Sequence, residues 1–225
     1  MHFKIVMLFD NNRVDYGLTT GVVAEKYAAR HGYSIHIQRS LIDPQISATW
    51  NKICALEGHL QEADWLLWLD ADALIVNPAL QLESLVDQYG AGKNALFSVD
   101  EGGLCAGIFL LKNCPWSVQF LKTLLYLGNT NAVKCAHEQG TIQHLFDNYP
   151  SVTTQLGAIP EELILNPHSC FSEKAFIMHY WSNTLSFPVV RPYIENINRH
   201  GWKREYWISL GGRRSDGKPS GNSPV

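Results

Sequence analysis

Trp65-Leu66-Leu67-Trp68-Leu69-Asp70-Ala71-Asp72-Ala73-Leu74-Ile75-Val76-Asn77-Pro78 is the stretch on which the reading of this chain turns. Five of its first six residues are apolar, the pattern of a strand buried on both faces of a mostly parallel sheet. The run ends in Asp70 and Asp72, and in extended backbone two positions apart means the same face. Asn77 suits an N-cap and Pro78 a first helical position, which predicts a helix over 79–89. In open α/β sheets ligands bind beyond the carboxyl ends of strands. Two acids at that edge read as a divalent-metal site. An isolated Asp-x-Asp is more often a turn or capping pair. The buried strand running straight into the acids is what favours the metal.

Outward from that stretch, residues 3–9 read as a first buried strand broken by Asp10-Asn11-Asn12. Gly17 and Gly21 bracket a polar loop, 22–31 reads as a helix stopped by Gly32, and 33–38 as a second strand. This opening begins a doubly wound sheet, so the expected class is α/β with helices on both faces. Residues 47–60 read as a helix with Trp50, Ile53, Cys54 and Leu60 on one face. A strand at 95–99, a turn at 100–103 and an apolar strand at 104–111 follow. Gly107 lies inside that strand, where glycine permits close approach of a ligand or backbone. Helices are expected from Pro115 to about 127 and from about 137 to 148, then an irregular return over 157–168. Residues 175–179 read as a short apolar strand ending in His179. Residues 184–208, with Pro188, Pro192 and five large aromatics, should pack against the rest. The expected domain is 1–210. Residues 211–225, rich in Gly, Ser, Pro and Arg, read as a disordered tail or a linker to further domains, because they cannot bury enough apolar surface to offset their ordering entropy.

With 225 residues, 46% of them hydrophobic, the chain can bury one sizeable core. No basic stripe of the kind nucleic-acid binders carry precedes the C-terminal end. The five cysteines are scattered and include no Cys-x-x-Cys, which fits neither a zinc ribbon nor a disulfide framework and suits a reducing compartment. No apolar run is long enough for a membrane span, and the N-terminal strand lacks the features of a signal peptide. The expected location is cytoplasmic.

Trp50-Asn51-Lys52-Ile53 followed by 65–78 resembles the metal-dependent glycosyltransferases of the fungal galactosyl/mannosyltransferase and plant xyloglucan xylosyltransferase type. The resemblance covers roughly 3–183 and is most specific over 50–78. It implies the GT-A fold, a nucleotide-sugar donor such as a UDP-hexose, a glycan or glycoprotein acceptor, Mn²⁺ or Mg²⁺, and retention of anomeric configuration. By resemblance, Phe9, Asp10 and Tyr16 lie near uracil; read from the residues alone, Asp10 equally well caps a turn and Tyr16 packs on the core. Lys52 faces the donor's diphosphate or is a surface lysine. The resemblance implies Asp70 and Asp72 as metal ligands, the second usually direct and the first also able to act through water or the ribose, with Ala71 between them against the donor. Gly107 matches the family's glycine, while Cys105 stands where the family has Asn. Glu138 and Gln139 fall near the sugar and its reacting carbon; Glu138 could also simply complement a helix N-terminus. His179 is the third metal ligand by resemblance, although a lone histidine after an apolar strand is more often a core residue. Imidazole with carboxylates suits manganese. Trp181-Ser182-Asn183 departs from the small residue the family often has there. Two other classes stay open: a metal-dependent sugar nucleotidyltransferase, which would want a Gly-rich basic loop after the first strand, and a non-catalytic sugar-binding domain of the same fold.

Overall fold

The apolar runs form nine strands among the residues described in this computed structural model, which are 1–100, 102–130, 132–135, 137–166, 169–180 and 187–210. In chain order they are β1 (Phe3–Leu8), β2 (Ser34–Gln38), β3 (Trp65–Asp70), β4 (Ala73–Ile75), β5 (Ala95–Asp100), β6 (Gly103–Lys112), β7 (Leu156–Ile159), β8 (Ile164–Leu165) and β9 (Ile177–His179). The α-helices are α1 (Val14–His31), α2 (Ala48–His59), α3 (Leu82–Tyr89), α4 (Pro115–Thr130), α5 (Glu138–Asn148), α6 (Pro150–Thr153), α7 (Phe187–His200) and α8 (Arg204–Ser209). The expectations for 211–225, for Trp181-Ser182-Asn183 and for Pro167-His168 lie outside the described residues.

Six strands make the central sheet in the order β2-β1-β3-β6-β5-β7. All run parallel except β6, which is antiparallel to both of its neighbours. The period of two in β3 sorts its side chains. Trp65, Leu67 and Leu69 join one buried layer with Phe3, Ile5 and Met7 under α1 and α3. Leu66 and Trp68 join the opposite layer with Ile53 and Leu56 of α2 and Phe120, Leu121 and Leu124 of α4. Continuing that alternation puts Asp70 on the α2 face, at the strand's carboxyl end. A second sheet, β4-β9-β8, extends from that end, with Ala73 opposite His179. α7 and α8 cover it, burying Val190, Ile197 and Trp207 with Leu74 and Met178.

Several boundaries differ from the sequence reading. α1 starts at Val14, not 22, because its glycines serve packing and not a loop: a Cβ on Gly17 would lie 2.2 Å from the Phe9 ring. The helix after the acids begins at Leu82, because the chain first turns at 78–79, with the Leu80 N–H donating to the Asn77 carbonyl at 3.4 Å. Asn77 caps a turn instead, its Oδ1 accepting from the Ala79 N–H at 3.1 Å. The return at 157–165 contains β7 and β8, too short to show alternation. α7 runs through Pro192 in its interior, which masked it in the sequence.

Candidate functional site

A cleft of about 710 Å³ opens at the carboxyl end of β3, within the size range of small-molecule and cofactor sites. Lys52, Asp70, Asp72, Gly107, Glu138 and His179 all line it. The turn carrying the acids is pinned from outside. Thr20 Oγ1 donates to the Ala71 carbonyl at 2.6 Å, and the Tyr180 N–H donates to the Asp72 carbonyl at 3.0 Å. Trp68, two residues before Asp70 and on the same face, donates its indole N–H to Asp70 Oδ1 at 2.6 Å.

His179 is 4% exposed. Its Nδ1 lies 3.0 Å from Asn166 Oδ1 and 3.3 Å from Cys105 Sγ. Its Nε2 lies 3.4 Å from Asp72 Oδ1 and 4.0 Å from Asp70 Oδ2, outside hydrogen-bond geometry, and is a buried polar atom without a hydrogen-bond partner. One ligand atom from each of the three residues can be chosen so that all lie within 4.8 Å of one another. Two ligands about 2.1 Å from a shared cation lie roughly 3–4 Å apart, so small shifts would bring these three onto one ion. Gly107 makes the space: a Cβ there would come 2.3 Å from His179 Cε1 and 3.1 Å from Asp70 Oδ2. An orphaned imidazole nitrogen, two carboxylates and a glycine cradle fit a divalent cation with mixed oxygen and nitrogen ligands.

Lys52 is not a surface lysine. It is 4% exposed, and its Nζ donates to the Ala106 carbonyl at 2.7 Å and to Glu138 Oε1 at 2.7 Å, and pairs with Asp70 Oδ1 at 3.0 Å. The Ala106 carbonyl is available because the β5–β6 register slips between Phe97 and Ser98, releasing that stretch of β6 from its partner. The Ala106 N–H, released with it, donates to Gln139 Oε1 at 3.0 Å. The irregularity therefore hands both backbone groups of Ala106 to site residues. Glu138 Oε2 is buried without a partner beside the cleft.

The electrostatics follow from burial and from carboxylates crowding one ammonium. Burial alone would push Lys52 down, but the charges of Asp70 and Glu138 outweigh it and hold it above the ordinary lysine range. Burial pushes Asp70 up, and Asp72 beside it adds to the rise against the pull of Lys52. Burial opposes the charge on Asp72 too, but the His179 ring holds this carboxyl below its usual range. Burial works against a charged His179, yet Asp72 and the Cys105 thiol push the ring up to about 10. A proton on His179 thus occupies charge balance that a cation would otherwise supply.

Of the sequence-derived candidates, Lys52, Asp70, Asp72, Gly107, Glu138, Gln139 and His179 converge on the cleft. Phe9, Asp10, Tyr16 and Ala71 are not among the residues lining it. Phe9 is buried against Gly17. Both Asp10 oxygens are engaged locally, accepting from the Asn12 N–H at 2.9 Å and the Asn12 amide at 3.0 Å. Tyr16 packs against the cluster under α7 and α8, with the Arg13 guanidinium 5.7 Å from its ring centre. Ala71 is buried with its carbonyl taken by Thr20. Asn166, Thr20 and Trp68 were missed. Trp68 could have been found, since it shares the face of Asp70 at a spacing of two. Asn166 follows a two-residue strand and left no signal.

The order and direction of the central strands, with the acids at the end of β3, define a GT-A glycosyltransferase fold. A solved glycosyltransferase involved in glycosylation of the major capsid of PBCV-1 superposes with a TM-score of 0.65 at 15% identity, over 88% of this chain and 100% of that one. The galactosyltransferase LgtC, solved with donor and acceptor sugar analogs, gives 0.56 at 13% identity, over 92% and 99%. The sequence matches the galactosyl transferase GMA12/MNN10 family over residues 5–89 and 86–185, and the chain belongs to that family. It is 26% identical over 224 residues to the probable alpha-1,6-mannosyltransferase MNN10 of Saccharomyces cerevisiae, covering 82% of this chain and 57% of that protein. It is 31% identical over 119 residues to the probable xyloglucan 6-xylosyltransferase 1 of Oryza sativa subsp. indica, covering 48% and 26%. The chain thus spans about a quarter to just over half the length of these curated relatives. Among the described residues no helix is long and apolar enough to cross a membrane.

Proposed function

We propose that this chain is a metal-dependent glycosyltransferase that moves a hexose or pentose from a UDP-sugar to a glycan or glycoprotein acceptor, with retention. The observation that carries the reading is the unpartnered His179 Nε2, buried over Gly107 and facing Asp70 and Asp72 at the carboxyl end of β3. Asp70, Asp72 and His179 would hold the ion, Mn²⁺ by the chemistry of the donor set or Mg²⁺ in its place. When bound, the cation neutralises charge on the departing nucleoside diphosphate.

The chain's own groups orient the sugar. Glu138 Oε2, buried and unpartnered, accepts from a sugar hydroxyl, while Lys52 holds its other oxygen still. The amide oxygen of Gln139 accepts from the Ala106 N–H, which holds the side chain in place and leaves its Nε2 donor for the sugar. Lys52, consumed by Asp70, Glu138 and Ala106, acts from beneath the site and not as a direct diphosphate contact. The segment after β1 starts beside the acids, since Leu8 pairs with Asp70, and a uracil set there would meet Asp10 and the exposed part of Tyr16, with Phe9 buried behind them.

The test is UDP release from a panel of UDP-sugars with Mn²⁺, Mg²⁺ or EDTA, with and without glycan acceptors. Metal-dependent release is expected. Formation of a nucleotide sugar from a nucleoside triphosphate and a sugar phosphate would replace this reading with a nucleotidyltransferase, and binding without turnover would make the domain non-catalytic.

A further inference from the structure

The Asn166 amide is oriented by what surrounds it. Its Nδ2 lies 2.7 Å from Asp100 Oδ2. A carboxylate oxygen accepts, so the amide nitrogen faces Asp100 and the amide oxygen must face His179. That oxygen, 3.0 Å from His179 Nδ1, can only accept, so Nδ1 carries a proton. When a cation displaces the ring's second proton, the neutral imidazole keeps its one N–H at Nδ1, and the Nε2 lone pair faces Asp70 and Asp72.

The two residues that enforce this are themselves fixed. Asn166 is fully buried, and its backbone N–H donates to Ser169 Oγ at 2.9 Å. Asp100 ends β5, and its Oδ1 accepts from the Gly102 N–H at 2.7 Å in the turn to β6. The Cys105 sulfur lies 3.8 Å from the same Asn166 oxygen and 3.3 Å from Nδ1; with its S–H given to that oxygen it can only accept from Nδ1, which favours the same Nδ1 proton.

We propose that Asp100 and Asn166 are positioning residues that set the tautomer and ring orientation of His179, so that Nε2 is the nitrogen offered to the cation. This deepens the metal reading and rests on it. Partners of this kind hold ligand histidines in place, and their loss commonly costs about 10–100-fold in metal affinity.

The experiment combines Mn²⁺ titration with NMR of protein carrying ¹⁵N-labelled histidine, and thermal unfolding as a control. Asn166→Leu, which removes the acceptor, and Asn166→Asp, which sets two carboxylates against each other, should each weaken Mn²⁺ binding about 10–100-fold. The exchanged pair Asn166→Asp with Asp100→Asn restores a donor facing an acceptor, and should return the wild-type affinity. In the metal-free wild type and in the exchanged pair, His179 should show an exchange-protected Nδ1 proton, lost in Asn166→Leu. A folded Asn166→Leu variant that binds Mn²⁺ as the wild type does would overturn the proposal. So would an exchanged pair that recovers thermal stability but not Mn²⁺ affinity. A wild type that binds no Mn²⁺ would sink the metal reading itself, and protection of the Nδ1 proton would still decide whether Asn166 holds Nδ1 as the donor. Absence of that protected proton overturns the inference in either case.

Discussion

Gly107 and His179 share one volume: a Cβ on Gly107 would lie 2.3 Å from the imidazole Cε1 and 2.6 Å from Nε2. Gly107→Ala therefore displaces the ring from the acids. Overpacking of this kind costs about 1–3 kcal/mol of stability. The larger effect is on the cation, and Mn²⁺ affinity should fall by at least about tenfold, as for other losses of ligand orientation. Calorimetric Mn²⁺ titration beside urea unfolding separates the two. An alanine variant with undiminished Mn²⁺ affinity would remove the glycine from the site.

Asp72→Ala should reduce UDP-sugar turnover by at least about a hundredfold, the upper end of what losing even an outer partner of a metal costs. The fold should survive, since Asp72 belongs to no apolar cluster and its removal relieves the crowding that raises Asp70. Steady-state kinetics with Mn²⁺ and EDTA, alongside thermal unfolding, provide the check. Wild-type turnover by this variant in EDTA would refute metal dependence through the pair.

Lys52→Met leaves Asp70 and Glu138 facing each other without their shared ammonium. Removing one partner of a buried ion pair costs about 3–5 kcal/mol, so denaturant unfolding should show a loss of that order. Adding Glu138→Gln to Lys52→Met should recover part of it, because one of the stranded charges is gone. If Lys52→Met were as stable as wild type, the buried triad would not be a structural element.

Tyr33 gives the chain an alkaline limit. Burial, and then its hydrogen bond to Glu83, push the phenol up to about 12 from 10.0. The fold thus favours the neutral phenol. The stabilisation is fully present below pH 10 and is lost as pH rises through about 12. Tyr33→Phe should lower stability at neutral pH by about 1 kcal/mol, the usual worth of a hydrogen bond. Between pH 10 and 12 its stability should fall less steeply than that of the wild type. Parallel slopes for the two proteins in urea unfolding across that range would contradict the assignment.

Much of the site was legible in the sequence because one strand advertises it. The alternation of Trp65 to Asp70 fixes which face Asp70 takes; Asp72 reaches the same cleft by another route, because β3 ends at Asp70 and 71–72 turn the chain into β4. Lys52, Glu138 and His179 came from family resemblance; nothing local to them announces the cleft. What stayed hidden depends on geometry between strands. The register slip opposite Phe97 frees Ala106 for Lys52 and Gln139, and no residue type signals such a slip. Asn166 lies next to a two-residue strand, too short for any periodicity. The glycines of α1 read as loop residues because the sequence cannot show that Phe9 lies against Gly17. Pro192 concealed α7 for the opposite reason, since a proline within a helix is tolerated once its face is buried against a neighbouring layer.

The buried lysine has a further consequence, for assembly. Lys52 and Glu138 stand 86 positions apart, and Cys105 and His179 stand 74 apart, so the cleft is closed by contacts far apart along the chain. The entropy of closing such loops must be met before the contacts can repay it. The strand that brings His179 is also the last one described in the chain. Until it docks against β4, a folding chain holds two carboxylates at a strand end with no imidazole above them, and a cation could gain only a partial hold. Full capture of an ion would thus be coupled to the pairing of β9 with β4, and a tightly held divalent ion would report that this pairing has formed.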